Sequence, residues 1–135
     1  MHMLGIPKTM QLQPAYKDVK TEVLDFMIQE VGKLRGLGVN DIIVDPGFGF
    51  GKRLKDNYDL LKYLHIFQIL GVPVLAGISR KSMIYKYLEI EAEQALNGTS
   101  ALHMIALQLG ASILRAHDVK EAMEVLKLWE MMEEI

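Results

Sequence analysis

Three short apolar segments, separated by stretches with helical periodicity, constrain the fold of this chain more than any other feature. The segments are DIIVD (41–45), VPVLAG (72–77) and ASILRAHD (111–118), each about the length of a strand. Strands that alternate with helices indicate parallel strands joined by right-handed crossovers. The pattern therefore predicts an α/β fold whose sheet is covered by helices, either a doubly wound sheet or part of a (β/α)8 barrel.

Four further segments carry apolar residues at steps of three and four, which is typical of amphipathic helices. We expect helices over residues 18–37, 57–70, about 97–109, and 118 to about 134. The third is apolar almost all round, which indicates a helix that is deeply buried or packs on another chain. A shorter helix is expected to begin near Met83, with Ser79 or Ser82 as its cap.

Composition excludes several classes of protein. The chain of 135 residues has a net charge of −2 with the two signs mixed, so no nucleic-acid partner is expected. It contains no cysteine, which excludes disulfides and thiolate metal sites and fits a cytoplasmic protein. Neither a membrane span nor a secretory signal is recognisable, so no membrane partner is expected.

The segment DPGFGFGK (45–52) places a carboxylate at the end of the first apolar run. Asp45 could accept hydrogen bonds from a flat N–H donor ligand, but Asp-Pro-Gly is also ordinary turn chemistry. The loop does not have the spacing of a Walker A or a dinucleotide-binding motif. Phe48 and Phe50 could line an aromatic ligand or pack beneath the rim of the fold, and the second is commoner.

The segment GISRKS (77–82) follows the second apolar run. Gly77 allows the backbone to approach another group closely. The adjacent cations Arg80 and Lys81 are expected to point in different directions, so at most one faces a ligand. Taken alone, the motif favours a capped, solvated helix start over a ligand site.

The segment RAHD (115–118) ends the third apolar run. In an extended chain Arg115 and His117 lie on the same side, which suits a phosphate group. Asp118 is expected at the N-cap of the last helix. His65 and His103 fall within helical segments and are expected to be structural. His2 is only weakly indicated as a ligand residue.

The order MHMLGIPKTMQ, DPGFGFGK, GISRKS, RAHDVKE at successive strand ends resembles the dihydropteroate synthase family of pterin-binding barrels, over essentially the whole chain. The resemblance implies that residues 1–135 are the carboxyl-terminal half of a (β/α)8 TIM barrel, from the end of strand five to helix eight, with the amino-terminal half absent. Two residues depart from the family pattern: Leu4 stands where glutamine is usual, and Ile6 where a polar residue is common.

The resemblance implies a transferase of folate biosynthesis and a sulfonamide target. It would condense 4-aminobenzoate with 6-hydroxymethyl-7,8-dihydropterin pyrophosphate to give dihydropteroate and pyrophosphate. Mg²⁺ would be held mainly by the pyrophosphate and by a residue absent from this chain. The implied catalytic residues are Lys81, Arg115 and His117. The implied pterin-binding residues are Met1, Asp45, Gly49, Phe50, Gly77 and Lys81. Ser79 and Arg80 would lie on the 4-aminobenzoate side, and Arg115 and His117 would bind pyrophosphate.

The resemblance also implies a homodimer formed through the late helices. Because the amino-terminal loops of the site are missing, the isolated chain is expected to be inactive. Two other functions remain open at this stage: a pterin-binding module without catalysis, and a structural fragment that dimerises through the apolar helix over 98–109.

Overall fold

The computed structural model describes residues 1–3 and 16–135. In this part of the chain helices alternate with short parallel strands, as the sequence predicts. The α-helices are α1 (Val19–Gly36), α2 (Leu54–Lys62), α3 (Ser82–Leu88), α4 (Leu96–Gln108) and α5 (Val119–Glu133), and 3-10 helices span Leu64–Leu70 and Ala92–Gln94. Residues 4–15, which include both departures from the family pattern, lie outside the described residues.

The strands are parallel but shorter than predicted. Strand β1 (Leu75–Ala76) pairs with β2 (Ile113–Leu114), and Val44 forms a single parallel bridge with Val74. On the other side of the 41–45 segment, the His2 N–H donates to the Asp45 carbonyl oxygen (3.0 Å). Segments 41–45, 73–76 and 112–115 therefore lie side by side with their carboxyl ends at the same edge, and segment 1–3 is hydrogen-bonded to the end of segment 41–45.

Helix α1 confirms the first helical prediction. Asp18 occupies the N-cap position, and its carboxylate accepts a bond from the Thr21 hydroxyl (2.9 Å). The buried face consists of Val19, Val23, Met27 and Val31, at steps of four. Phe26 and Leu34 also fall on the apolar stripe of α1, but each is 37% exposed. The stripe is therefore wider than the face of the helix that packs on the rest of the chain.

The second predicted helix is wrong in two respects. It begins at Leu54 rather than Asn57, since the Asp56 carboxylate accepts the Arg53 N–H (2.9 Å) and organises the first turn. The α-helix ends at Lys62, and the chain continues to Leu70 as a 3-10 helix. The apolar spacing is similar in both kinds of helix, so the pattern does not separate them.

The predicted serine cap of α3 is also wrong. Lys81 occupies the N-cap position, and no side chain caps the helix. Helix α4 buries one face within this chain: Thr99, His103, Ala106 and Leu107 face inward, and the helix packs on α5. Its outward residue Ile105 is 40% exposed. His103 is structural as predicted, because it lies in the core at 1% exposure.

The core lies between the helices and the covered face of the sheet. Its largest fully buried side chains are Phe48, Phe67, Leu60, Leu64, Ile78, Met83 and Ile84. Burial of several such side chains, at roughly 1.5–3 kcal/mol each, is the main source of stability for this arrangement. None of the helices described is both long enough and apolar enough to traverse a bilayer.

Candidate functional site

Asp45 and Arg115 meet at the carboxyl edge of the strands. Asp45 is buried, at 7% exposure; its Oδ1 accepts the Gly47 N–H (2.8 Å), and its Oδ2 lies 3.1 Å from Nη1 of Arg115. The first bond is the turn contact that Asp-Pro-Gly indicates, so the turn prediction for Asp45 is confirmed. A carboxylate has about four acceptor positions, which leaves room for donors of a ligand as well.

The glycine-rich loop is held from within by Lys52. This lysine is 3% exposed, and its ammonium donates to the carbonyl oxygens of Gly47 (2.7 Å) and Phe50 (3.1 Å). Its third contact is Nδ1 of His2 (3.3 Å). Burial, followed by the charge of Lys52, lowers the pKa of His2 to about 4, so the imidazole is neutral at pH 7 and Nδ1 accepts.

Asn57 fastens the same loop from helix α2. Its Oδ1 accepts the Gly49 N–H (2.7 Å), and its Nδ2 donates to the Arg53 carbonyl (2.9 Å). The side chain is buried on the face of α2 that also buries Leu60 and Leu61. A polar residue on an apolar helical stripe was a sequence signal for this role, although the sequence analysis did not use it.

The two phenylalanines of the loop have different environments. Phe48 is fully buried in the core, whereas Phe50 is half-buried beside Lys81. The Lys81 ammonium lies 4.6 Å from the centre of the Phe50 ring and donates to the Phe48 carbonyl. Of the two predicted fates, packing beneath the rim is therefore confirmed for Phe48, and Phe50 stays accessible to a ligand.

The environment of Lys81 lowers its pKa well below the usual value for a lysine. Burial lowers the pKa of Lys81 to about 8; the Asp45 carboxylate opposes this shift and the Arg115 cation adds to it. Burial, followed by the charge of Lys81, likewise lowers the pKa of Lys52 to about 8. Both ammonium groups are protonated at pH 7, and a partly desolvated cation attracts an anion more strongly than a solvated one.

Gly77 provides the space that Arg115 occupies. A Cβ atom at Gly77 would overlap the Arg115 guanidinium and lie 3.0 Å from its Cζ. Two residues further along each segment, the Ser79 hydroxyl contacts Nδ1 of His117 (2.8 Å) and accepts the His117 N–H (3.1 Å). Arg115 and His117 are thus each placed by a residue of the neighbouring strand end.

Arg80 and Lys81 point in different directions, as predicted. Lys81 faces the loop of Phe48 and Phe50, whereas the Arg80 guanidinium turns toward Asp118, with contacts of 2.8 and 2.9 Å. Asp118 occupies the N-cap position of α5 as predicted, but its side chain makes no capping bond and pairs with Arg80 instead. The sequence analysis missed this ion pair because it joins segments far apart in the chain.

A cleft of about 280 Å³ opens between the loop and the start of α3. Its lining residues are Phe48, Gly49, Phe50, Arg80, Lys81, Ser82 and Tyr85. A cavity of about 560 Å³ lies at the opposite ends of the strands, around Ser112 and Trp129. Strand-end chemistry in parallel α/β folds lies at the carboxyl edge, so the smaller cleft marks the candidate site. Met1 lies near this edge and is 54% exposed.

The residues at this edge do not fit a protein-held metal. Within residues 1–3 and 16–135, no group of three or more His, Asp or Glu side chains could hold an ion. The side chains around Asp45 are mainly cationic, which suits an anionic ligand rather than Mg²⁺.

Comparison with known proteins identifies the class. Residues 1–117 match the profile of the pterin binding enzyme family, so the chain belongs to this family. Within it, the similarity is to dihydropteroate synthases. The chain is 45% identical to the Haemophilus influenzae enzyme over 132 residues, and 44% identical to the Escherichia coli K12 enzyme. These alignments cover 96% of this chain but only 48% and 47% of the two relatives, so it spans about half their length.

Solved structures of the same class agree. One of them is the Yersinia pestis dihydropteroate synthase in a sulfonamide drug complex. The chain superposes on it with a TM-score of 0.94 at 38% identity, and the alignment covers 98% of this chain and 49% of that one. For the Thermus thermophilus enzyme the TM-score is 0.92 at 39% identity, covering 98% and 54%. These relatives are (β/α)8 barrels, which confirms the predicted family and half-barrel fold and excludes the doubly wound sheet.

Proposed function

We propose that residues 1–135 form the carboxyl-terminal half of a dihydropteroate synthase barrel, from the end of strand five to helix eight, and carry half of its site. The observation that supports this most is the meeting of Asp45, Lys81 and Arg115 at one edge of three neighbouring parallel segments. One buried acceptor beside two fixed cations suits a ligand with flat N–H donors at one end and a pyrophosphate at the other.

In the proposed reaction the amine of 4-aminobenzoate attacks the methylene carbon of the dihydropterin pyrophosphate. A C–N bond forms, the C–O bond breaks with its electron pair going to the departing pyrophosphate, and the amine loses a proton. Asp45 orients the pterin through its remaining acceptor positions. Lys81 lies between the two substrates, and Arg115 and His117 face the pyrophosphate. Fixed cations stabilise the negative charge that builds on the leaving group.

The amine needs position more than activation, since it is a neutral nucleophile. The cleft walled by Phe50 and Lys81 offers an aromatic face and a cation for a benzoate. Met1, Gly49 and Gly77 complete the proposed pterin pocket. The Ser79 hydroxyl contacts His117 and so lies next to the proposed pyrophosphate site rather than in the benzoate cleft. Mg²⁺ as the pyrophosphate counterion and a cytoplasmic location remain predictions.

A chimera tests this function. This chain should replace the matched carboxyl-terminal part of Escherichia coli dihydropteroate synthase, and release of pyrophosphate should be measured with both substrates. We expect turnover by the chimera and none above background by the isolated chain, because only the chimera has both halves of the site. The same chimera with Lys81→Ala is the inactive control.

Two other results would select a different function. A folded chimera that binds a pterin without forming product would favour the non-catalytic pterin-binding module. A folded chimera that binds neither a pterin nor pyrophosphate would contradict the proposed function and favour a structural role.

We also propose that the chain self-associates through its late helices. The outward face of α5 exposes Met123, Leu128 and Met131 at 47%, 64% and 59%. Light scattering at micromolar concentration is expected to show a dimer, and Leu128→Glu should shift it toward monomer. Ile69→Glu, at a site 77% exposed on the 3-10 helix Leu64–Leu70, is the matched control. A folded monomer of the unmodified chain would contradict the proposal.

A further inference from the structure

The register that pairs β1 with β2 continues beyond the strands as a series of side-chain contacts. Leu75 and Ile113 are paired in the sheet, and the Ser79–His117 and Arg80–Asp118 contacts keep the same spacing of 38 residues. Gly77 and Arg115 occupy the position between them. The end of one strand therefore fixes the end of the next, residue by residue.

The last contact in this series joins Arg80 and Asp118. Every guanidinium nitrogen of Arg80 has a protein partner: Nε and Nη2 contact the two Asp118 oxygens, and Nη1 donates to the carbonyls of Ala92 (2.9 Å) and Glu93. A bidentate ion pair of this kind adds geometric specificity as well as strength. The side chain is thus directed into the protein at the point where a substrate contact was expected.

The backbone of Arg80 is also fixed. Its φ angle is +51°, a conformation that costs a non-glycine residue free energy and persists where its surroundings determine it. Its N–H donates to the Thr99 hydroxyl (3.0 Å), which in turn donates to the Ala95 carbonyl (2.7 Å). Arg80 therefore anchors its loop to the start of α4 as well as to Asp118.

The segment from Arg115 to Asp118 is consequently held at both ends. At one end the Arg115 N–H donates to the Ala76 carbonyl (3.1 Å). At the other end Asp118 is held by Arg80, directly beside the Ser79–His117 contact. Loss of the ion pair would leave this contact supported from one end only.

We propose that Arg80 and Asp118 are a positioning pair, which holds His117 against Ser79 and thereby places Arg115 and His117 for the pyrophosphate. Arg80 lines the cleft proposed for 4-aminobenzoate, but its guanidinium is bound to Asp118 and makes no contact with that substrate. This proposal rests on the proposed function for the identity of the ligand. It assigns to Asp118, which has no role in the sequence analysis beyond a helix cap, a part in anion binding.

The two possible roles of Arg80 give opposite results in the chimera. If Arg80 positions His117, Arg80→Lys and Asp118→Asn should each weaken pyrophosphate binding about tenfold, the scale of one charged hydrogen bond, and the double variant should be no worse. Binding of 4-aminobenzoate and of a pterin should change less than twofold. If Arg80 contacts the benzoate, Arg80→Lys should lower the affinity for 4-aminobenzoate, while Asp118→Asn should leave that affinity unchanged or raise it.

Matched variants separate positioning from general charge effects. Glu124→Gln removes one negative charge from an exposed position of the same helix and should leave all three affinities unchanged. Asp118→Glu keeps the carboxylate and should recover part of the pyrophosphate affinity. Affinities should be measured by calorimetric titration, with the melting temperature of each variant recorded.

A spectroscopic measurement tests the proposal even if the proposed function is wrong. Long-range ¹H–¹⁵N spectra of the His117 ring report the hydrogen bond at Nδ1. In the chain with Asp118→Asn this bond to Ser79 should be lost, while Glu124→Gln should retain it. An unchanged His117 spectrum in Asp118→Asn would overturn the positioning role. Failure of the unmodified chimera to bind any ligand would overturn only the proposed function.

Discussion

Replacing Gly47 with alanine is expected to destabilise the fold by about 3 kcal/mol or more, whereas Gly38→Ala should cost about 1–2 kcal/mol. Both glycines have positive φ angles, +75° and +84°, so both substitutions carry the same backbone strain. They differ in space: nothing lies within 4 Å of a Cβ at Gly38, but a Cβ at Gly47 would overlap the His2 carbonyl oxygen. The difference between the two losses of unfolding free energy therefore measures the cost of the overlap with the His2 carbonyl.

The overlap at Gly47 involves backbone, which cannot rotate away as a side chain can. Relief would require the 1–3 segment to move, breaking the bond from His2 N–H to the Asp45 carbonyl. It would also disturb Lys52, whose ammonium lies 3.3 Å from the same Cβ position. Denaturant unfolding followed by circular dichroism gives both free energies. Equal losses for the two variants would show that the 1–3 segment is not held against the loop.

Local features of the site could be predicted because each depends on a few neighbouring residues. The strand ends at Asp45, Gly77 and Arg115 follow from apolar runs that stop at polar residues. Helix α1 follows from its apolar spacing and its Asp18 cap. The opposite directions of Arg80 and Lys81 follow from their adjacency. In each case the pattern and the structure that it predicts are close in the chain.

Other features depend on the pairing of distant segments and could not be predicted in this way. The spacing of 38 residues that pairs Ser79 with His117 is set by the register of β1 with β2. The role of Lys52 depends on the loop folding back so that the Gly47 and Phe50 carbonyls face one ammonium. The sequence shows a lysine at the end of a loop but gives no sign that it is buried.

In the chimera, Asp45→Asn is expected to abolish pterin binding without lowering the stability of the fold. An asparagine side chain retains an oxygen that can accept the Gly47 N–H, so the turn survives. It lacks the charge and one acceptor oxygen that two N–H donors of a pterin require. Loss of a buried charged partner typically costs on the order of 2–5 kcal/mol of binding free energy. Calorimetric titration with a pterin measures this loss.

Three further variants define what the result means. Asp45→Ala removes the turn contact as well and should lose both pterin binding and about 1 kcal/mol of stability. Asp41→Asn changes an exposed carboxylate at the other end of the same apolar run and should alter neither quantity. Arg115→Ala should weaken the binding of pyrophosphate much more than the binding of a bare pterin. The Arg115 guanidinium lies beside Asp45, so its removal leaves the proposed pterin acceptor in the protein.

If Asp45 were only a turn former, neither variant would lose pterin binding selectively. Asp45→Asn would then bind a pterin normally, and Asp45→Ala would lose stability with no selective loss of ligand. Equal losses of pterin and pyrophosphate in Asp45→Asn and Arg115→Ala would contradict separate roles and indicate one shared anion site. The 3.1 Å contact between the two side chains predicts coupling in the double variant. In the double variant this coupling would alter the binding of both ligands. The single variants are therefore needed to distinguish the proposed role of Asp45 in pterin binding from that of Arg115 in pyrophosphate binding.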